Sequence, residues 1–106
     1  MQNIHIALCT IDSREKAHTL AQALLERRCI ACANLIPGVE SVYWWEGRIE
    51  SAAEVLMVFK TSADRINELK ATVTELHPYD TPELLILPVT QGLDRYLAWV
   101  EKETRR

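Results

Sequence analysis

The sequence predicts an α+β fold in which strands and helices follow the order β-α-β-β-α-β, with one further helix at the end. Three observations carry this. Short apolar runs rich in Val, Ile and Leu are separated by two segments whose apolar residues recur at helical period. The pair Glu46-Gly47 joins two strand-like runs with nothing helical between them, which is a hairpin signal. A third helical pattern closes the chain. The 106 residues suit one domain, spanning 1–106, that buries roughly 60–70% of its unfolded surface.

Taken in order, Ile4, Ile6, Ala7, Leu8 and Cys9 form a mostly apolar run that reads as a buried strand ending near Thr10. Asp12 and Ser13 then offer helix N-caps, and Glu15 can reach back to Asp12 in the manner of a capping box. Ala17, Leu20, Ala21, Leu24 and Leu25 make the apolar stripe of the first helix, whose solvated face carries Lys16, His18, Gln22 and Arg27. The helix stops around Arg28, and Cys29 to Ile36 reads as the second strand, closed by the turn pair Pro37-Gly38. The chain resumes through Val39 to Trp45 and turns into Arg48, Ile49 and Glu50. Its third strand continues over Glu54 to Lys60, with Val55, Met57 and Phe59 on one face and Leu56 and Val58 on the other. Thr61-Ser62 caps a second helix with the stripe Ile66, Leu69, Val73 and Leu76. Glu83 to Val89 is the fourth strand, and Pro88 suits a sheet edge or a bulge. After Gly92, Leu93 to about Lys102 forms the last helix, with Tyr96, Trp99 and Val100 along one side.

This order is the ferredoxin-like split βαβ unit, in which antiparallel strands lie as 4-1-3-2 under two helices. Strands apolar on both faces, together with Tyr43-Trp44-Trp45, imply that the last helix or another subunit covers the second face. A symmetric homo-oligomer meets that need.

Composition removes several functions. A formal charge of -3 leaves no basic excess to attract nucleic acid. The longest apolar runs, Val55 to Phe59 and Leu84 to Val89, are too short to span a bilayer, so no membrane role is expected. Met1-Gln2-Asn3-Ile4 enters a strand pattern without a secretory leader, and three cysteines, an odd count, suggest reduced thiols; a cytoplasmic location is expected.

The stretch His77-Pro78-Tyr79-Asp80-Thr81-Pro82-Glu83 concentrates the unusual chemistry. Its two prolines hold an imidazole, a phenol and two carboxylates in a stiff connection, which reads either as a turn pinning helix to strand or as a ligand or metal site. Cys29-Ile30-Ala31-Cys32 has the spacing of a redox or zinc pair, but residues i and i+3 of a strand point to opposite faces, so these cysteines are expected to be structural. No G-x-S-x-G and no phosphate-cradling glycine loop is present, and nothing spaces His77, Asp80 and Glu83 against Ser13 or Thr10, so catalysis is not expected. An RNA-binding reading of this fold needs exposed aromatics on the first and third strands, where Phe59 stands alone.

Four blocks carry a resemblance: Ala31-Cys32-Ala33-Asn34-Leu35-Ile36-Pro37-Gly38, Tyr43-Trp44-Trp45-Glu46-Gly47-Arg48-Ile49-Glu50, the ending Phe59-Lys60-Thr61, and His77-Pro78-Tyr79-Asp80-Thr81-Pro82-Glu83-Leu84. In order and spacing they resemble the CutA divalent-cation tolerance family over nearly the whole chain. The resemblance implies a ferredoxin-like homotrimer similar to P-II-type signalling proteins, a cytoplasmic location, and an association with copper tolerance. It also implies that the hairpin bearing Tyr43, Trp44 and Trp45 packs between subunits.

Strand 1 antiparallel to strand 4 brings Cys9 to the end of the sheet where His77 precedes strand 4, and a thiolate with an imidazole suits copper or zinc. In the copper-binding members that this sequence resembles, the ligands are the cysteine matching Cys9 and two consecutive histidines before the proline; here only His77 is present, with Leu76 in the first place. The expected function is therefore non-catalytic tolerance of or response to divalent metal ions. Cys9 and His77 would be the ligands, no cofactor would be required for folding, and Tyr79, Asp80 and Glu83 would shape the surroundings or the cleft between subunits. The alternative is a regulatory or anchoring module whose intersubunit clefts bind a small anion or a protein partner, with Arg48, Lys60 and the loop carboxylates as the groups involved.

Overall fold

The computed structural model describes residues 3–106; Met1 and Gln2, the start of the strand-like N-terminal pattern, lie outside the described residues. Strand β1 (Ile4–Ile11) leads into helix α1 (Arg14–Glu26), β2 (Cys32–Trp45) and β3 (Arg48–Ser62) form a long hairpin, α2 (Ile66–Leu76) returns to β4 (Leu84–Pro88), and α3 (Asp94–Glu103) follows. Every pairing is antiparallel and the sheet order is β2-β3-β1-β4, as the element order implies. Pro88 is the last residue of the edge strand β4, where a missing N–H breaks no interior ladder.

The register pairs Ala7 with Phe59, Cys9 with Met57 and Ile11 with Val55, so these side chains share one face. They pack under Ala17, Leu20, Ala21 and Leu24 of α1 and Leu69 and Val73 of α2 as one buried cluster. Leu25 and Leu76, expected in the buried stripes, are exposed. Leu25 lies about 100° around the helix from Leu24, and Leu76 is the last residue of α2.

Caps and joints follow local chemistry. Ser13, not Asp12, caps α1: the Lys16 N–H donates to Ser13 Oγ at 3.1 Å, while Asp12 pairs with Lys16 Nζ at 3.1 Å. After Ser62 the chain makes a 3-10 turn, Ala63–Arg65, before α2 begins. The buried Arg65 donates to the carbonyls of Arg27 and Arg28 at 3.1 Å each, satisfying acceptors left over at the end of α1.

Two boundaries in the second strand are corrected. Arg28 adopts φ 59 and turns the chain, so Cys29 to Ala31 precede the sheet and β2 starts at Cys32. Pro37-Gly38 closes no strand. Pairing passes from Ile36–Leu56 to Val39–Glu54, which places one extra residue on β2, a bulge in which Gly38 takes φ 79. The bulge also changes which residues of β2 face which way: Ile36 lies on the side away from α1 and α2, and beyond it Val39, Ser41, Tyr43 and Trp45 take that side. The true turn is Glu46-Gly47, with φ 49 and 79, the two left-handed residues of a type I′ hairpin.

On the second sheet face, α3 covers one end only, through Val100 and Leu97 against Ile4 and Ala31. Ile36, Leu85 and Leu87 stay exposed there, and the hairpin carries Val42, Tyr43, Trp44, Trp45 and Ile49 into solvent, with Trp44 72% exposed. Tyr96 and Trp99 of α3 lie against each other with ring centroids 5.6 Å apart. No helix among the described residues is long and apolar enough to cross a membrane.

Candidate functional site

The loop from α2 to β4 is anchored by His77. Pro78 keeps His77 extended, at φ -73 and ψ 137, and the His77 N–H closes the last turn of α2 on the Val73 carbonyl at 2.9 Å. The Tyr79 N–H donates to His77 Nδ1 at 3.1 Å, which leaves the ring proton on Nε2 to be donated to the Thr10 carbonyl at 2.8 Å. Both nitrogens of this buried ring are therefore occupied. The Tyr79 ring stands edge-on to the imidazole at 4.7 Å, and its hydroxyl donates to Glu54 Oε2 at 2.7 Å. Thr10 Oγ1 donates to Glu83 Oε1 at 3.5 Å. One connected set thus runs from the end of β1 through the loop to β3.

Cys9 sits one residue before Thr10, as the topology predicts, but its side chain belongs to the buried cluster under α1 and α2. Burial first, then the negative charges of Glu83 and Glu54, push its thiol up to about 12 from 9.0. Metal ligation needs a thiolate and a free imidazole nitrogen, and in this conformation Cys9 holds its proton while His77 has no nitrogen to spare. Among the described residues, no group of three or more His, Cys, Asp or Glu side chains comes together to hold a metal ion. Leu76 borders a separate hollow with Leu20 and Ala23 of α1.

The Cys9 thiol also predicts a pH dependence. A proton held more tightly in the folded state stabilises it fully below the unfolded value of 9.0, and that contribution is lost as pH rises from there toward about 12. Chemical unfolding across this range is expected to show a fall in stability that Cys9→Ala flattens. An equal fall in both proteins would show that another group is responsible.

Near this loop opens a cavity of about 810 Å³, bordered by Asp12, Glu54, Asp80 and Glu83 and by the rings of Tyr43, Trp45 and Tyr79; among the described residues no Lys, Arg or His lines it. Burial first, then the bond to Glu54, raises the Tyr79 phenol well above its usual range, so it stays a donor. Of the residues singled out in the sequence as shaping a site or cleft, Tyr79, Asp80 and Glu83 line this cavity, beside Glu54, Asp12 and Thr10, which were not proposed for that role. Glu54 did carry a weak signal as a carboxylate beginning an otherwise apolar run.

The remaining candidates lie elsewhere. Arg48 is exposed beside the hairpin turn. Lys60, on β3, donates to Asn34 Oδ1 and approaches Cys32 Sγ at 3.9 Å. Cys29 is buried with its sulfur 3.7 Å from Thr72 Oγ1, whereas Cys32 is half-buried beside Lys60, so the two sulfurs diverge and all three cysteines are free thiols. Phe59 is fully buried on the helix side and offers no face to a base.

A four-stranded antiparallel sheet with helices, a long aromatic hairpin and an acidic cleft near its root define a small α+β sheet protein. The chain belongs to the CutA1 divalent ion tolerance protein family, whose model matches residues 5–103. It is 40% identical over 99 residues to the divalent-cation tolerance protein CutA of Thermus thermophilus, covering 93% of this chain and 96% of that one. It is 39% identical over 100 residues to the chloroplastic protein CutA of Arabidopsis thaliana, covering 94% of this chain but only 55% of that one. The structure of the periplasmic divalent cation tolerance protein CutA from Archaeoglobus fulgidus superposes with a TM-score of 0.93 at 34% identity, covering 96% and 99% of the two chains. The Thermus and Archaeoglobus relatives bear the names of tolerance proteins and not of enzymes.

These relatives also correct the expected cytoplasmic location, since one is periplasmic and one chloroplastic. The same folded domain works in different compartments, because targeting is read from leader segments and not from the packed core.

Proposed function

We propose that this chain acts in divalent-cation tolerance as a non-catalytic homotrimer of ferredoxin-like subunits whose cleft takes a positively charged ligand. The observation that carries this reading is the lining of the cleft, which among the described residues holds Asp12, Glu54, Asp80 and Glu83 and no basic residue; only Asp12 has a basic partner, Lys16, outside the lining. Carboxylates set among low-dielectric walls concentrate a negative potential that draws cations and repels anions. The same lining disfavours the small anion of a regulatory cleft, and Arg48 and Lys60 stand outside it. Support for self-association comes from Ile36, Leu85, Leu87 and the hairpin rings, an apolar surface that a closed ring of copies would cover. Catalysis gains no support from His77, whose two ring nitrogens are tied to the backbone.

A copper ion on Cys9 and His77 is a second reading, favoured by the bond that seats the imidazole on the carbonyl next to Cys9. Ligation there would break that bond, release the thiol proton, and draw further ligands from Glu83, Asp80 or a neighbouring subunit. Calorimetric titration of the reduced protein with Cu(II), Zn(II) and, anaerobically, Cu(I) separates the two readings. Binding in the cleft is expected to survive Cys9→Ala and to weaken about tenfold or more in Glu54→Gln. The copper reading expects the reverse. A protein that binds no cation, metallic or organic, would remove both.

A further inference from the structure

We propose that Cys32 is a modification site, a thiol that a hydroperoxide oxidises to a sulfenic acid, with Lys60 and Tyr96 as the groups that direct the reaction to it. Three side chains meet there, away from the cleft. Cys32 opens the edge strand β2 and its register partner on β3 is Lys60, so both side chains stand on the second sheet face. Lys60 Nζ donates to Cys32 Sγ at 3.9 Å. Tyr96 reaches the same sulfur from α3. Burial first, then the charge of Cys32 and the hydrogen bond to it, raise the Tyr96 phenol above its ordinary value, so its proton stays available to donate. The group lies at the end of the face that α3 covers, where Ala31 packs under Val100.

A cation and a second donor aimed at one sulfur make the surroundings in which a cysteine reacts as its thiolate. Lys60 supplies an independent sign. It is half-buried, takes part in no ion pair among the described residues, and its other partner is the neutral side-chain amide of Asn34. The counter-charge within its reach is the sulfur of Cys32. The other two thiols lack both access and cation: Cys9 is fully buried beside the charges of Glu83 and Glu54, and Cys29 is fully buried against Thr72. Cys32 is half-buried and open to a small oxidant. Its sulfur attacks one peroxide oxygen, an S–O bond forms as the O–O bond breaks, and the second oxygen leaves as water or an alcohol with the thiol proton. Sulfur is oxidised and the peroxide reduced. Cys29 points into the core and closes no disulfide on the product. The sulfenic acid therefore persists until two molecules of an outside thiol reduce it, which gives back Cys32, the disulfide of that thiol and water.

The test is exposure of the intact assembled protein to hydrogen peroxide in the presence of dimedone, which traps sulfenic acids, with peptide mass spectrometry of all three cysteines. The dimedone adduct is expected on Cys32 and on neither Cys9 nor Cys29. Lys60→Met should slow its formation about tenfold or more, the effect of losing one charge-assisted hydrogen bond. Lys60→Arg keeps the cation and should restore most of the rate, which separates the loss of charge from a change in packing. No adduct on Cys32 in the unaltered protein would overturn the proposal. Equal labelling of all three thiols would overturn it too, because it reports opening of the fold. An unchanged rate in Lys60→Met, or a Lys60→Arg as slow as Lys60→Met, would show that Cys32 reacts without help from the cation and would overturn the arrangement proposed.

Discussion

Replacing Phe59 by alanine is expected to cost about 3–5 kcal/mol of stability, the usual range for truncating a buried aromatic ring. Phe59 is fully buried, and its register partners on both neighbouring strands are the small residues Ala7 and Ala33. No large side chain on those strands stands directly opposite to collapse into the space, so the cavity should persist. Against a typical total of about 5–15 kcal/mol, such a loss brings the chain close to unfolding. Urea unfolding at matched protein concentration checks this, because subunit association would otherwise add to the apparent stability. A loss below about 1 kcal/mol would show that the ring does not fill the core described above.

Placing carboxylates on the second sheet face should act differently. In Ile36→Glu with Leu85→Glu, both positions are exposed within one chain, at 45% and 57%, and both lie outside the cluster under α1 and α2. The chain should therefore keep its circular dichroism. The homotrimer proposed above should not survive, because in it each copy would bury uncompensated charges against an apolar partner, at several kcal/mol per ion. Light scattering is expected to report separate chains of 12.1 kDa. An unchanged mass would place the contact between copies on another surface.

Much of this architecture is legible in the sequence because it rests on periodicity. Alternation in Val55 to Phe59 gives both faces of β3, and the spacing of Leu20, Leu24, Leu69 and Val73 gives the buried sides of the helices. Pro37-Gly38 is not legible in the same way. A Pro-Gly pair looks alike in a turn and in a bulge, and only the distant partners Leu56 and Glu54 decide between them. That ambiguity hides the cleft, since the bulge is what turns Ser41, Tyr43 and Trp45 to the side of Glu54.

The candidate site divides along the same line. Proline chemistry marks the His77 to Glu83 loop, and topology alone brings Cys9 and His77 to the same end of the sheet. What topology leaves open is the state of each side chain. The bonds of His77 to Thr10 and Tyr79 depend on atoms far apart in the chain, as does the seating of Glu54 under Tyr79. Compartment was the least legible property, because relatives with this domain occupy both periplasm and chloroplast.

The most direct test of the account is sedimentation equilibrium of the unaltered protein over a range of micromolar concentrations. A single species with the mass of three 12.1 kDa chains is the expected result. A species of one chain's mass, stable with Ile36, Leu85 and Trp44 left in water, would contradict it.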